Sequence, residues 1–216
     1  MGKHSIIGID LAGSPRRPTG ACLLRGLVAS TTVLFEDDKI VRFVREASPE
    51  LVTVDAPLHL PPGRSSIEDR NGEHYRPCDL ELRKLGIPFF PITLGPMRML
   101  TVRGITLKKK MEREGFRVVE MYPGAAQDIW RIPRARQDLK KLRRGLERFG
   151  INGLTTDASA DELDAATGAL VGRLFLQGKA CVLGDFETGA ILIPALGAPG
   201  GRRAKTMLAE GRAKRT

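Results

Sequence analysis

An apolar strand that ends in a carboxylate and runs at once into a turn occurs three times in this chain, and no other feature constrains its fold as much. The instances are Ile6-Ile7-Gly8-Ile9-Asp10 ahead of Gly13, Leu51-Val52-Thr53-Val54-Asp55 ahead of Pro57, and Val118-Val119-Glu120 ahead of Pro123. Short β-branched runs bounded by Gly or Pro read as buried strands. In α/β sheets the carboxyl ends of the strands are where ligands gather. A carboxylate placed there is costly to bury unless something cationic meets it. Three of them on one sheet edge point to a shared cation and to metal-assisted chemistry.

The segments between these strands fix the topology. Residues 19–26 and 28–35 read as two further strands turning at Gly26, too closely spaced for crossovers, so strands one to three form an antiparallel meander. A helix follows over 36–47, with Ile40, Val41, Phe43 and Val44 on one side. Residues 57–77 form a long connection rich in Pro, Gly and charge, of the kind that is usually functional or disordered. Helical stretches are expected at 78–86 and 97–115, then the strand 117–121, then a helix at 135–148. The last long helix is the best defined: Ser159 caps it, and Glu162 three residues on completes a capping box. Leu163, Ala166, Leu170 and Leu174 then trace one apolar face. A short strand at 190–193 closes the pattern. The expected organisation is one α/β domain over 1–199, with a loop and helical insertion at about 57–115 and a disordered basic tail at 200–216.

Composition narrows the function. With 42% hydrophobic and 28% charged residues the chain is globular rather than wholly disordered. No apolar run reaches the roughly 18 residues needed to span a bilayer. The cysteines Cys22, Cys78 and Cys181 are odd in number and far apart, which fits a reducing cytoplasm without a disulfide framework. The net charge is +10, and it is localised: residues 131–148 hold eight Lys/Arg against Asp138 and Glu147, and residues 200–216 hold six against Glu210. The rest of the chain is nearly neutral. Basic clusters attract phosphate polymers, so nucleic acid, DNA or RNA, is the expected partner. Arg131, Arg134, Arg136, Lys140, Lys141, Arg143 and Arg144 are its candidate contacts, with Arg76, Arg83 and Arg98 beside the Pro-rich loops.

The closing helix carries two more acids. Asp161 and Asp164 lie three apart and so project from nearly the same side. Asp161 suits the positive end of the helix dipole. Asp164 sits among residues that pack, where a carboxylate needs a partner. Asp10, Asp55, Asp161 and Asp164, with Glu120, supply hard oxygen ligands from separate elements, as Mg²⁺ (or Mn²⁺) requires. Two such ions would clamp the attacking and leaving oxygens of a phosphoryl displacement. Competing motifs are weak: His59, His74 and Cys78 match no strong zinc spacing, and no Walker A, G-x-G-x-x-G or G-x-S-x-G signature is present.

The motifs GIDLAGS, VDAPL, RPCDLELRKLGIPFFP, VVEMYP and DELDAATGAL, spread from about residue 5 to 195, together resemble the "domain of unknown function 429" family, whose members are regarded as predicted nucleases of RNase H-like fold. The resemblance implies a mixed five-stranded sheet of RNase H-like (RuvC-like) type with helices on both faces. It implies catalytic acids at Asp10, Asp55 and Asp164, with Asp161 nearby; the D-x-x-D-A pattern is similar to that of RuvC-type resolvases. Glu120 departs from the family of folds, many of whose members take a glutamate from the first helix. Two other functions share the core. The segment Asp10-Leu11-Ala12-Gly13-Ser14 with Thr19-Gly20 also resembles the first phosphate loop of actin- and sugar-kinase-like ATPases, which need two such domains. A non-catalytic nucleic-acid-binding protein is the third.

Overall fold

β1 (Ser5–Asp10) lies inside the sheet, with a strand paired on each side, and its sequence explains why. Ile6, Ile7 and Ile9 are all fully or almost fully buried, so the strand must be covered on both faces. The computed structural model describes residues 4–196. β2 (Thr19–Arg25) and β3 (Val28–Leu34) follow β1 as the expected antiparallel meander. Next come α1 (Asp37–Ala47), β4 (Leu51–Asp55), α2 (Pro77–Lys84), α3 (Gly95–Arg113), β5 (Val118–Met121), α4 (Pro123–Trp130), α5 (Leu139–Arg148), α6 (Ala160–Leu176), β6 (Ala180–Asp185) and β7 (Gly189–Pro194).

The sheet order is β3-β2-β1-β4-β5-β7-β6. β4 and β5 run parallel to β1, and β7 parallel to β5. An antiparallel meander leading into β4 and β5 on the far side of β1 is the RNase H-like arrangement. The sheet has seven strands rather than five, because Ala180–Asp185 pairs back on Gly189–Pro194 as a hairpin at the edge. A second difference is α4. The pair Pro123-Gly124 reads as a turn, yet Pro123 occupies the first turn of a helix, where its missing N–H costs nothing. α5 also begins later than expected, at Leu139, capped by Asp138 accepting from Lys141 N–H at 2.9 Å. The tail at 200–216 lies outside the described residues.

The two sheet faces have different coverings. Ile7, Ile9, Val52, Val54 and Val118 pack beneath α1 and α3 with Ile40, Val44, Leu107 and Met111. On the other face α6 lies directly over β1, β2 and β4, with Leu163, Ala166 and Leu170 in the same core as Ile6, Cys22 and Leu24. The approach of α6 is close because glycines face it. A Cβ on Gly8 would sit 2.0 Å from the Ala165 carbonyl oxygen, and one on Gly20 would sit 2.0 Å from that of Asp161. Gly168 and Gly172 on the helix answer with near contacts to Thr53, Met121, Ile6 and Leu51.

Gly8→Ala therefore forces helix and sheet apart and is expected to destabilise the protein by about 3 kcal/mol or more. Gly13→Ala, whose Cβ would meet nothing nearer than 3.6 Å, should change stability by less than about 1 kcal/mol. Urea unfolding of the two variants against wild type checks both.

Candidate active site

Asp10 ends β1 and Asp55 ends β4, and the two are register partners in a parallel ladder. Partners in register point to the same side, and neighbouring strands are about 4.8 Å apart. That side is the one α6 covers, since Gly8 and Thr53, two residues back along each strand, both touch α6. α6 starts with the anticipated capping box: Ser159 Oγ accepts from Glu162 N–H, and the Glu162 carboxylate accepts from Ser159 N–H at 2.9 Å. The first turns of α6 thus bring Asp161 and Asp164 over the carboxyl ends of β1 and β4. Asp164 Oδ1 accepts from Gln127 Nε2 at 2.6 Å. Gln127 is buried on α4 and lies 3.3 Å from Thr167 Oγ1 on α6. No sequence signal singles it out.

The electrostatics of this face are those of like charges crowded together. Burial, and then repulsion from Asp55, Asp164 and Asp161, holds the Asp10 carboxyl well above the usual carboxylate range. Asp55 is raised in the same direction by burial, then by Asp164 and Glu120. Burial pushes Asp164 up to about 6, partly offset by the Gln127 hydrogen bond. Asp161 is raised by burial, with Arg17 opposing. Among the described residues neither a hydrogen-bond donor nor a cation offsets the repulsion at Asp10 or Asp55.

This donor set fits a hard divalent cation in its chemistry: oxygen ligands from two adjacent strands and a helix, each carrying charge that a cation relieves. As their side chains stand, no group of three or more His, Cys, Asp or Glu among the described residues is drawn tightly enough to hold an ion. His59, His74 and Cys78 do not assemble; His59 meets Lys108, His74 meets Thr93, and Cys78 is buried beside Asp79.

Two expectations need correction. Glu120 is the register partner of Val54, not of Asp55, so it points to the opposite face of the sheet. There it is buried and neutralised: Arg76 donates to it from Nη1 at 2.6 Å and Nη2 at 2.8 Å, and Leu58 N–H donates at 2.8 Å. It is a structural ion-pair acceptor rather than a member of the acid cluster. Arg76, a candidate phosphate contact, is only 1% exposed and also holds Asp79 through Nε and Nη2. No nucleic acid can reach it. The other basic candidates are nearer the surface. Arg83 stacks on Tyr75, Arg98 pairs with Glu68, Lys141 with Asp138 and Arg143 with Glu147. Arg134 is bound to Asp128 and to the Tyr122 hydroxyl. Arg131, Arg136, Lys140 and Arg144 are exposed. Lys140 and Arg144 lie one turn apart on the solvent side of α5, whose Leu142 and Leu146 face the core.

The sign of the pH effect follows from the direction of these shifts. A carboxyl raised from 3.8 to about 6 in the folded protein contributes stability below the lower value and loses it as pH rises through the higher. Metal-free Asp164→Asn should therefore be more stable than wild type by about 2 kcal/mol at pH ~7, with the difference gone by pH ~4. Thermal unfolding in a chelator across that range measures it.

Comparison with known proteins places the chain. A family model described as "Protein of unknown function (DUF429)" matches residues 8–188. No curated protein matches. Among solved structures, Thermus thermophilus RuvC in complex with a Holliday junction substrate aligns at TM-score 0.45 and 12% identity, covering 81% of this chain and 95% of that one. A second Thermus thermophilus RuvC structure aligns at TM-score 0.43 and 10% identity, covering 80% and 95%. With the family model running from β1 to the turn before β7, the chain belongs to the DUF429 family.

Proposed function

We propose that this protein is a metal-dependent nuclease that hydrolyses phosphodiester bonds of nucleic acid. The observation that carries the reading is the placement of Asp10 beside Asp55 in register, under Asp164 of α6, with nothing among the described residues offsetting the repulsion at Asp10 and Asp55. A structural protein gains nothing from such an arrangement, and a divalent cation turns it into a favourable one. Asp10, Asp55 and Asp164 would hold Mg²⁺ or Mn²⁺, with Asp161 at the rim. When bound, the metal supplies a Lewis acid that activates water and stabilises charge on the reacting phosphate.

The chain's own groups do the rest. Gln127 fixes the Asp164 carboxylate by its 2.6 Å hydrogen bond, leaving the second oxygen for a ligand. The basic ridge of α5, with Lys140, Lys141 and Arg144, and the neighbouring Arg131 and Arg136 would hold backbone phosphates on either side of the reacting one. The reaction adds one water across the ester. Hydroxyl oxygen bonds to phosphorus, the bond from phosphorus to the leaving sugar oxygen breaks, and that oxygen takes the proton. In this reading residues 1–199 act as one catalytic unit, and the basic segment 200–216 adds affinity without chemistry.

Asp10→Asn should lower cleavage of DNA or RNA oligonucleotides by at least about 100-fold while leaving the fold intact or slightly more stable without metal. Wild type should gain thermal stability on addition of Mg²⁺, and the variant should not. Equal stabilisation of both by Mg²⁺, with cleavage unchanged, contradicts the reading. Strong, salt-dependent binding without cleavage in Mg²⁺ or Mn²⁺ would assign a binding protein of the same fold, and turnover of ATP in the absence of nucleic acid would assign an ATPase.

A further inference from the structure

Among the basic candidates that solvent reaches, Arg134 has all three guanidinium nitrogens engaged. Its Nε and Nη2 donate to the two Asp128 oxygens at 3.0 and 2.6 Å, and its Nη1 donates to Tyr122 Oη at 3.0 Å. Tyr122 is itself fixed, donating to the Pro88 carbonyl at 2.9 Å. Of the five guanidinium N–H groups, three are engaged, and one on each terminal nitrogen remains. The Arg134 side chain is only 14% exposed, whereas Asp128 is 37% exposed. The ion pair thus presents its anion to solvent and its cation inward.

Helix α4 joins this ion pair to the acid cluster. Tyr122 follows β5 directly and is the N-cap of α4. Gly124, in the first turn of α4, lies against Arg134: a Cβ there would sit 3.0 Å from the guanidinium carbon and 2.9 Å from the Tyr122 ring. Gln127, three residues along the same helix and therefore on the same side, holds Asp164. α4 carries the arginine contact and the carboxylate contact on one face. The Arg134 charge also opposes, in small part, the rise that burial imposes on Asp164.

Resting on the hydrolytic reading above, we propose that Arg134, braced by Tyr122 and Asp128, is the clamp for the non-bridging oxygens of the scissile phosphate, on the α4 side of the acid cluster. A planar fork with two free N–H groups suits two phosphate oxygens, where an ammonium does not. A donor pre-oriented in a partly dry site acts mainly on charge that develops in the transition state. Arg134 is therefore set apart from the ridge of α5, which grips the strand without taking part in the chemistry.

The test uses the full chain, Mg²⁺ and a fluorescein-labelled oligonucleotide. Arg134→Gln should lower kcat by about 100-fold and raise KM by no more than about tenfold, and Arg134→Lys should recover little of either. The thermal stabilisation given by Mg²⁺ should remain at the wild-type level, because no ligand is removed. Tyr122→Phe, a milder change for the case that Arg134→Gln does not fold, should lower kcat by about fivefold. An unchanged kcat overturns the clamp. So does joint loss of kcat and of the Mg²⁺ response, which would make Arg134 a brace for Asp164. A wild type that cleaves nothing defeats the hydrolytic reading instead, and the clamp is then judged by anisotropy in Ca²⁺. About tenfold weaker binding for Arg134→Gln but not for Arg42→Gln, a change at an exposed position of α1 on the other face of the sheet, upholds it, and equal affinities overturn it.

Discussion

The contact between α6 and the first two strands sets the rest of the structure. Gly8 and Gly20 have no side chain where the backbone of α6 passes, and a single methyl group at either would collide with a carbonyl oxygen of the helix at 2.0 Å. Interiors are packed too tightly to absorb such a change. The consequence for function is geometric. A helix at ordinary distance from a sheet would leave Asp164 well above the strand ends. Backbone-to-backbone contact lowers the first turns of α6 onto the carboxyl edge, so that acids from distant parts of the chain face one another there. Their repulsion is the standing cost of that arrangement, and on the proposed reading a divalent cation would relieve it.

The opposite face of the sheet solves the same problem with protein charges alone. Glu120 is buried, yet Arg76 and Leu58 satisfy both its oxygens. Leu58 stands near the start of the long connection between β4 and α2, and Arg76 stands at its end. One carboxylate therefore ties down both ends of a stretch that has little secondary structure of its own. Asp79 completes the network by accepting from Arg76 through both side-chain oxygens and by capping α2. Removing one member of such a buried set leaves an uncompensated charge, which costs about 4 kcal/mol. The two faces show why burial alone does not identify a site. The acids around Glu120 are paired, and those around Asp10 are not.

Much of this was legible in the sequence, for reasons that can be named. The meander, β4 and β5 are continuous apolar runs bounded by turn residues, and such runs have few alternatives. The start of α6 is written in Ser159 and Glu162. The acids Asp10 and Asp55 stand out because they end buried strands. Glu120 satisfies the same rule and goes elsewhere, because a side chain's face depends on register parity. Pairing with Val54 rather than Asp55 is set by packing across the sheet, which a single strand does not encode. Arg76 sits in a polar connection and looks like any surface arginine until its partners are in place. Gln127 was invisible because α4 hides behind a Pro-Gly pair. β6 carries an apolar run, Ala180 to Leu183, whose pairing with β7 depends on the turn between them.

On the proposed reading, Asp10, Asp55 and Asp164 share a divalent cation. Crystals of the full chain soaked in Mn²⁺, with anomalous scattering recorded at the manganese edge, test it most directly. The account predicts at least one anomalous peak within about 2.2 Å of oxygens from Asp10 and Asp55, with Asp164 at the same ion or at a second one beside it. Fully ordered carboxylates with no peak among them at saturating Mn²⁺, or a peak at Glu120 instead, would contradict it.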